Sequence, residues 1–277
     1  MSGAFLAEMA AGSHARVRAA KQLRPEGALV AQARNLPAPP RLRLDASGFD
    51  LIAELKLRSP ASGALGSPHE NVARRVRSYA RAGAAAVSVL TEPSRFDGSL
   101  THLMEAAEAL TPLDVAVMRK DFLVDPYQLL EARIAGAGGV LLIVRMLSRA
   151  AIEVMLDCAR SQGLFVLLEG FDAEDLELVG ELVGTFAGST TLLAGVNCRD
   201  LTTLEVRRER LSELATRLPG GVPRVAESGV TSPADARAVA CAGYQLILVG
   251  SALMQGDDPG ALAQALLAAG RSAAEAH

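Results

Sequence analysis

Residues Ile52 to Gly63 read IAELKLRSPASG, and the phase of this short stretch decides the architecture. A β-strand of period two puts Ile52, Glu54 and Lys56 on one face and Leu51, Ala53, Leu55 and Leu57 on the other. Both faces begin apolar, the pattern of a strand covered on both sides. One face nevertheless ends in a carboxylate and an ammonium two residues apart, and buried charges are costly unless paired or used. The strand then breaks at Arg58-Ser59-Pro60 and a glycine-containing loop, so both charges stand at its C-terminal mouth. Two readings stay open on this stretch alone: an ion pair that fixes register, or a pair of working groups.

The same unit recurs along the chain. Short apolar runs begin at Asp50 (DLIAELKL), Ala85 (AAVSVL), Val115 (VAVMRKDF), Val140 (VLLIV), Leu164 (LFVLLEG), Leu192 (LLAGVN), Arg224 (RVAES) and Gln245 (QLILVG). Amphipathic segments such as 71–81, 127–135, 149–160, 204–218 and 233–242 lie between them. The segment at 233 opens with Thr231-Ser232-Pro233, a cap residue followed by proline at the first helical position. Strand–helix units at spacings of about 25 to 30 residues predict a closed (β/α)8 barrel. An open doubly wound sheet is the competitor, and the chain lacks the GxGxxG turn that would favour it. The first 49 residues read as helical to about Lys21 and then as a proline-containing connection. We therefore expect an N-terminal extension at 1–49 and a barrel at 50–277, the extension being an appendage or lid and not a separate folding unit.

In such barrels the chemistry sits at the C-terminal ends of the strands. There the sequence places Glu54 and Lys56, then Lys120, Glu169, Asn197 with Arg199, and Glu227, all in phase with inward-facing apolar residues. Three carboxylates and several cations thus converge on one mouth, a pattern that a solvated surface would not keep across five strands. The last two strands end in Glu227-Ser228-Gly229 and Val249-Gly250-Ser251-Ala252, whose small residues let backbone N–H groups approach an anion. The plainer alternative is a pair of ordinary tight turns.

Composition narrows the partners. The chain has 277 residues, is 50% hydrophobic, carries a formal charge of −3 and is only 4% aromatic with no Trp. Such a surface offers nothing basic and aromatic for nucleic acid. The three cysteines, Cys158, Cys198 and Cys241, form no metal or disulfide pattern, and Cys158 and Cys241 read as small core residues. Neither a signal peptide nor an apolar run long enough to span a membrane is evident, so a cytoplasmic protein without membrane partners is expected. Of 28 basic residues only Lys21, Lys56 and Lys120 are lysine. Two of these stand at strand ends, where a group able to release its proton is useful and a guanidinium is not.

Taken together, the motifs resemble those of the indole-3-glycerol-phosphate synthase family. They are Glu54-x-Lys56-x-x-Ser59-Pro60, Ser88-Val89-Leu90-Thr91-Glu92, Phe96-x-Gly98-Ser99, Arg119-Lys120-Asp121-Phe122 with Asp125-Pro126-Tyr127-Gln128, Leu141-Leu142-Ile143-Val144, Leu168-Glu169, Gly195-Val196-Asn197-x-Arg199-Asp200-Leu201, Ala226-Glu227-Ser228-Gly229 and Val249-Gly250-Ser251-Ala252-Leu253-Met254. The resemblance implies conversion of 1-(2-carboxyphenylamino)-1-deoxyribulose 5-phosphate to indole-3-glycerol phosphate, releasing carbon dioxide and water, with no cofactor and no metal. It implies a phosphorylated small-molecule substrate and a place in tryptophan biosynthesis. A monomer or weak homodimer is expected.

Set against that chemistry, Lys120 is the general acid of the condensation, and Glu169 holds it or the substrate hydroxyls. Glu54 and Lys56 fall to dehydration and proton removal, with anion binding as the alternative for Lys56. Phe96 and Phe122 can sandwich the aromatic ring over Leu141 as floor, or be ordinary core aromatics. Ser59, Asn197 and Arg199 bind the substrate, Glu227 orients a cation, and Ser228, Gly229, Gly250 and Ser251 take the phosphate. The chain departs from the family pattern in places: Leu57 stands for a second basic residue, Ala61 for a serine and Cys198 for an Asn or Ser, an acidic turn is reduced to Ser67-Pro68, and the N-terminal helix keeps little of the usual pattern. The alternatives are a binding or scaffold subunit that has lost turnover, a phosphosugar isomerase, and a Schiff-base aldolase. The mixed charges of EVRRER within 204–218 read as a solvated helix face.

Overall fold

The computed structural model describes residues 3–66, 70–200 and 203–275; Ser67-Pro68 and Leu201 lie outside the described residues. Eight parallel strands form a closed barrel: β1 (Asp50–Leu55), β2 (Ala86–Leu90), β3 (Ala116–Lys120), β4 (Gly139–Ile143), β5 (Phe165–Gly170), β6 (Leu192–Asn197), β7 (Arg224–Glu227) and β8 (Leu246–Val249). Each pairs with its sequence neighbours, and β8 closes on β1 with Ile52 opposite Leu248. The (β/α)8 barrel expected from the spacing is therefore the fold. Period two sets its two cores. Ile52, Met118, Leu141, Leu167, Leu193, Val225 and Leu248 fill the barrel interior, whereas Leu51, Ala53, Leu55, Val87 and Val117 face the helical ring.

Capping chemistry fixes where helices start. Asp125 caps Pro126–Ile134, its carboxylate accepting from Tyr127 N–H while Gln128 reaches back to complete the box. Ser232 does the same for Pro233–Cys241, with Asp235 as its reciprocal partner, as the Thr-Ser-Pro signal predicted.

Three expectations need correction. The segment 204–218 is not one helix. Leu204 adopts a left-handed φ of 62°, Val206 bridges back to Arg199, and the Arg207 N–H bonds the Cys198 carbonyl at 2.9 Å, so the helix is confined to Glu209–Leu214. The connection after Lys21 holds a second helix. Helix α1 spans Gly3–Leu23, and α2 spans Glu26–Arg34, entered from Pro25 with Glu26 in its first turn. Leu29 and Ala33 of α2 bury against Tyr127 and Leu130. Cys241 is exposed and Cys158 only half-buried, so neither is a full core residue.

The extension is tied to the C-terminal side of β3. Arg16 donates to Asp121 at 2.8 Å, Gln128 donates to Ser13 at 2.8 Å, and the Tyr127 hydroxyl donates to the Ala20 and Arg24 carbonyls. No described helix is long and apolar enough to cross a membrane.

Candidate active site

A cavity of about 400 Å³ opens at the C-terminal ends of the strands. Glu54, Lys56, Ser59, Phe96, Lys120, Phe122, Leu141, Glu169, Asn197, Arg199, Glu227, Ser228, Gly229, Gly250 and Ser251 all line it, so every site residue singled out in the sequence meets in one place.

Lys120, the last residue of β3, is its centre. Nζ lies 3.0 Å from Glu169 Oε2 and 3.6 Å from Glu227 Oε2. Burial opposes the ammonium, but Glu169, Glu227 and Glu54 outweigh it and hold the lysine above its ordinary range. On β1, Lys56 Nζ stands 2.7 Å from Glu54 Oε1. Burial pushes the Glu54 carboxyl up, yet Lys56, Lys120 and Arg199 prevail and keep it below the usual carboxylate range. Glu54 is therefore held as the carboxylate beside Lys56.

Glu227 differs. It is 1% exposed, and neither carboxyl oxygen receives a hydrogen bond. Burial first and the Glu169 charge second push its carboxyl well above the ordinary range, and Lys120 only partly opposes them.

Two glycines make space for these carboxylates. A Cβ on Gly195 would stand 2.3 Å from Glu227 Oε1, and one on Gly250 would stand 2.2 Å from Glu54 Oε1. Gly195 sits between β5 and β7, in register with Glu169 and Val225.

The aromatic residues form one wall. Phe96 and Phe122 pack against each other with centroids 6.0 Å apart, and Phe5 meets Phe122 edge-on at 5.9 Å. A sandwiched ring would require the first two to part. At the opposite side Ser228 and Gly229 both have left-handed φ, and Ser228 Oγ donates to Asn197 Oδ1 at 2.9 Å. Asn197 Oδ1 also accepts from the Arg199 N–H at 3.0 Å, while the Arg199 guanidinium donates to the Leu204 carbonyl. Ser59 is buried in the first loop, its Oγ accepting from Ser62 N–H at 3.1 Å.

The departures Leu57 and Cys198 pack into the outer core and leave the pocket cations intact; Ala61 lines the cavity. Burial lifts the Cys198 thiol to about 11. Among the described residues no cluster of His, Cys, Asp or Glu could hold a metal.

Phe5, Asp121, Arg208 and Thr231 are among the lining residues to which sequence reasoning gave no role in the site. Asp121 stood inside a quoted motif without a role. Its carboxylate accepts from Arg16, Thr91, Arg119 and the Phe122 N–H, which fixes the chain on either side of Lys120's neighbour. Arg208, read as solvated, pairs with Asp235 at 2.7 Å and Thr231 at 3.1 Å beside Gly229. Phe5 carried no signal beyond helical apolar spacing.

A family model described as indole-3-glycerol phosphate synthase matches residues 6–266. The chain belongs to the indole-3-glycerol phosphate synthase family. An indole-3-glycerol phosphate synthase from Parafrankia sp. is 44% identical over 227 residues, covering 82% of this chain and 81% of that protein. One from Mycolicibacterium vanbaalenii is 42% identical over 241 residues, covering 86% and 85%. Among solved structures, 3-hexulose-6-phosphate synthase from Salmonella typhimurium superposes with a TM-score of 0.62 at 15% identity over 81% of this chain and 100% of that one, a likeness of fold alone. Membership of the indole-3-glycerol phosphate synthase family sets aside the isomerase and aldolase readings.

Proposed function

We propose that the protein is a working indole-3-glycerol phosphate synthase, a carboxy-lyase of tryptophan biosynthesis that closes the indole ring of 1-(2-carboxyphenylamino)-1-deoxyribulose 5-phosphate. The observation that carries this reading is Lys120, held charged between Glu169 and Glu227 at the floor of a cavity that also holds the Glu54–Lys56 pair.

In the condensation an aromatic ring carbon attacks the ketone, and Lys120 delivers a proton to the oxygen that becomes negative. Glu169 fixes the ammonium for that transfer. Carbon dioxide then leaves, and its bonding pair returns to the ring. Glu54, ionised and 2.7 Å from Lys56, is suited to take the proton whose loss forms the indole double bond. Lys56 and Arg199 are the cations available to the substrate carboxylate. Ser228, Gly229, Gly250 and Ser251 receive the phosphate. Asn197 and Ser59 contact the hydroxyls, Glu227 keeps Lys120 oriented, and the wall of Phe96 and Phe122 over Leu141 takes the anthranilate ring.

The same reading divides the chain into an extension at 1–49 and a barrel at 50–277, and makes it a cytoplasmic monomer or weak homodimer. The large exposed apolar side chains Leu23, Met104 and Val154 stand on three different helices, which supports that state. The test is turnover of the carboxyphenylamino-deoxyribulose phosphate followed by indole fluorescence. Substrate binding without turnover would point to a scaffold instead.

A further inference from the structure

Phe96 and Phe122 form one wall of the cavity but stand on different segments. Phe96 is the last residue of the short helix Pro93–Phe96 that follows β2, and Phe122 lies two residues past the end of β3. A buried carboxylate fixes each segment. Glu92 caps the short helix, Oε1 accepting from the Ser94 N–H at 2.9 Å and Oε2 from the Arg95 N–H at 2.7 Å. Asp121 Oδ1 accepts from the Phe122 N–H at 2.8 Å. Both carboxylate side chains are 1% exposed, and one side chain of α1 reaches the two together: Arg16 Nη2 lies 2.8 Å from Asp121 Oδ1 and Nη1 lies 3.5 Å from Glu92 Oε1.

We propose that Arg16 is a positioning residue for recognition of the aromatic ring: by bridging Glu92 and Asp121 it sets the spacing of Phe96 and Phe122, and with it the affinity for ligands that carry the anthranilate ring. The proposal rests on the synthase reading.

The oxygens that meet Arg16 are the ones that hold the wall. Asp121 Oδ1 receives both Arg16 and the Phe122 N–H, and Glu92 Oε1 receives both Arg16 and the Ser94 N–H. A shift of the guanidinium is therefore carried directly to both ring-bearing segments. Lys120 is held differently. It pairs with Leu90 in the β2–β3 ladder, and its carbonyl accepts from the Thr91 N–H at 2.9 Å. Past that bond the two chains leave the sheet, so Arg16 governs the rings and not the backbone of Lys120. Helix α1 ties the same two segments a second time, through Glu8 to Arg95 at 2.6 Å and through Phe5 edge-on to Phe122. A guanidinium spans two carboxylates because its N–H groups form a rigid planar fork; a lysine ammonium is a point charge on a flexible stem and would satisfy the pair without fixing its spacing.

The experiment is steady-state kinetics with ribulose 5-phosphate and inorganic phosphate as competitors, ligands that test the phosphosugar end of the site without the aromatic ring. In Arg16→Met the KM for the carboxyphenylamino-deoxyribulose phosphate should rise about tenfold, with kcat within about threefold and both inhibition constants within about twofold of wild type. Arg16→Lys keeps the charge without the fork. It should raise KM by about threefold or more with the same inhibition constants, and it supplies the test if the methionine variant fails to fold. An unchanged KM in Arg16→Met overturns the proposal, and so does a wild-type KM in Arg16→Lys, because charge alone would then suffice. Equal weakening of substrate and competitors also overturns it, because Arg16 would then support the whole pocket and not the ring. A wild-type protein without turnover overturns the synthase reading itself.

Discussion

Gly195 exists as glycine because Glu227 occupies its side-chain space: a Cβ there would lie 2.3 Å from Oε1 and 3.0 Å from Leu167 Cδ1. Gly195→Ala must shift either the β6 backbone or the carboxyl, at an overpacking cost of about 1–3 kcal/mol. A displacement of that kind should lower kcat between about ten- and a hundredfold with little change in KM. Steady-state kinetics alongside a thermal melt would check this, and a wild-type kcat in a folded variant would remove the seating role.

Lys120→Met takes the only lysine ammonium from between Glu169 and Glu227. Loss of a general acid of this kind typically lowers turnover by about 10² to 10⁴. Substrate affinity measured by calorimetry should change far less. If Lys120→Met retained turnover within a fewfold of wild type, Lys120 could not be the condensation acid.

Stability should respond to pH through Glu227. Burial and the Glu169 charge raise its folded-state pKa well above the unfolded value. The native state therefore holds a proton that the unfolded chain has released. The stabilisation is full below the unfolded pKa of about 4.3 and is lost as pH rises through the folded value. Glu227→Gln removes that dependence. Its Tm should exceed wild type by a margin that widens from acidic to alkaline buffer, and a margin independent of pH would contradict the account.

Phe5 brings α1 to the aromatic wall, meeting Phe122 edge-on at 5.9 Å. Such a pair contributes about 0.5–1.5 kcal/mol, so Phe5→Ala should raise KM by about two- to tenfold with kcat nearly unchanged. An unaltered KM would separate the extension from the binding wall.

The barrel was legible because its signals are local. Alternation in IAELKLRSPASG and the recurrence of that unit fix which side chains point inward, and the charges at the strand ends follow from phase alone. The loop after β6 was not legible. Its helical-looking run 204–208 is folded back by backbone bonds to Cys198 and Asp200, partners that no periodicity encodes. Helix α2 was missed because proline density after Lys21 reads as a connection, although Pro25 stands where a helix begins and burial of Leu29 against Tyr127 stabilises it. The roles of Phe5 and Asp121 depend on how α1 docks, through Arg16 and Ser13, onto elements about a hundred residues away. Glu227's state likewise depends on its neighbours: the sequence places a carboxylate at a strand end, and the burial and the Glu169 charge that push it up come from other strands of the barrel.

The most direct measurement is the fluorescence time course of purified protein mixed with 1-(2-carboxyphenylamino)-1-deoxyribulose 5-phosphate. The chain contains no Trp, so indole emission is read against a low protein background. The account predicts a rising indole signal in wild type that Lys120→Met abolishes. A flat trace from folded wild-type protein at saturating substrate, or a signal that Lys120→Met leaves intact, would contradict it.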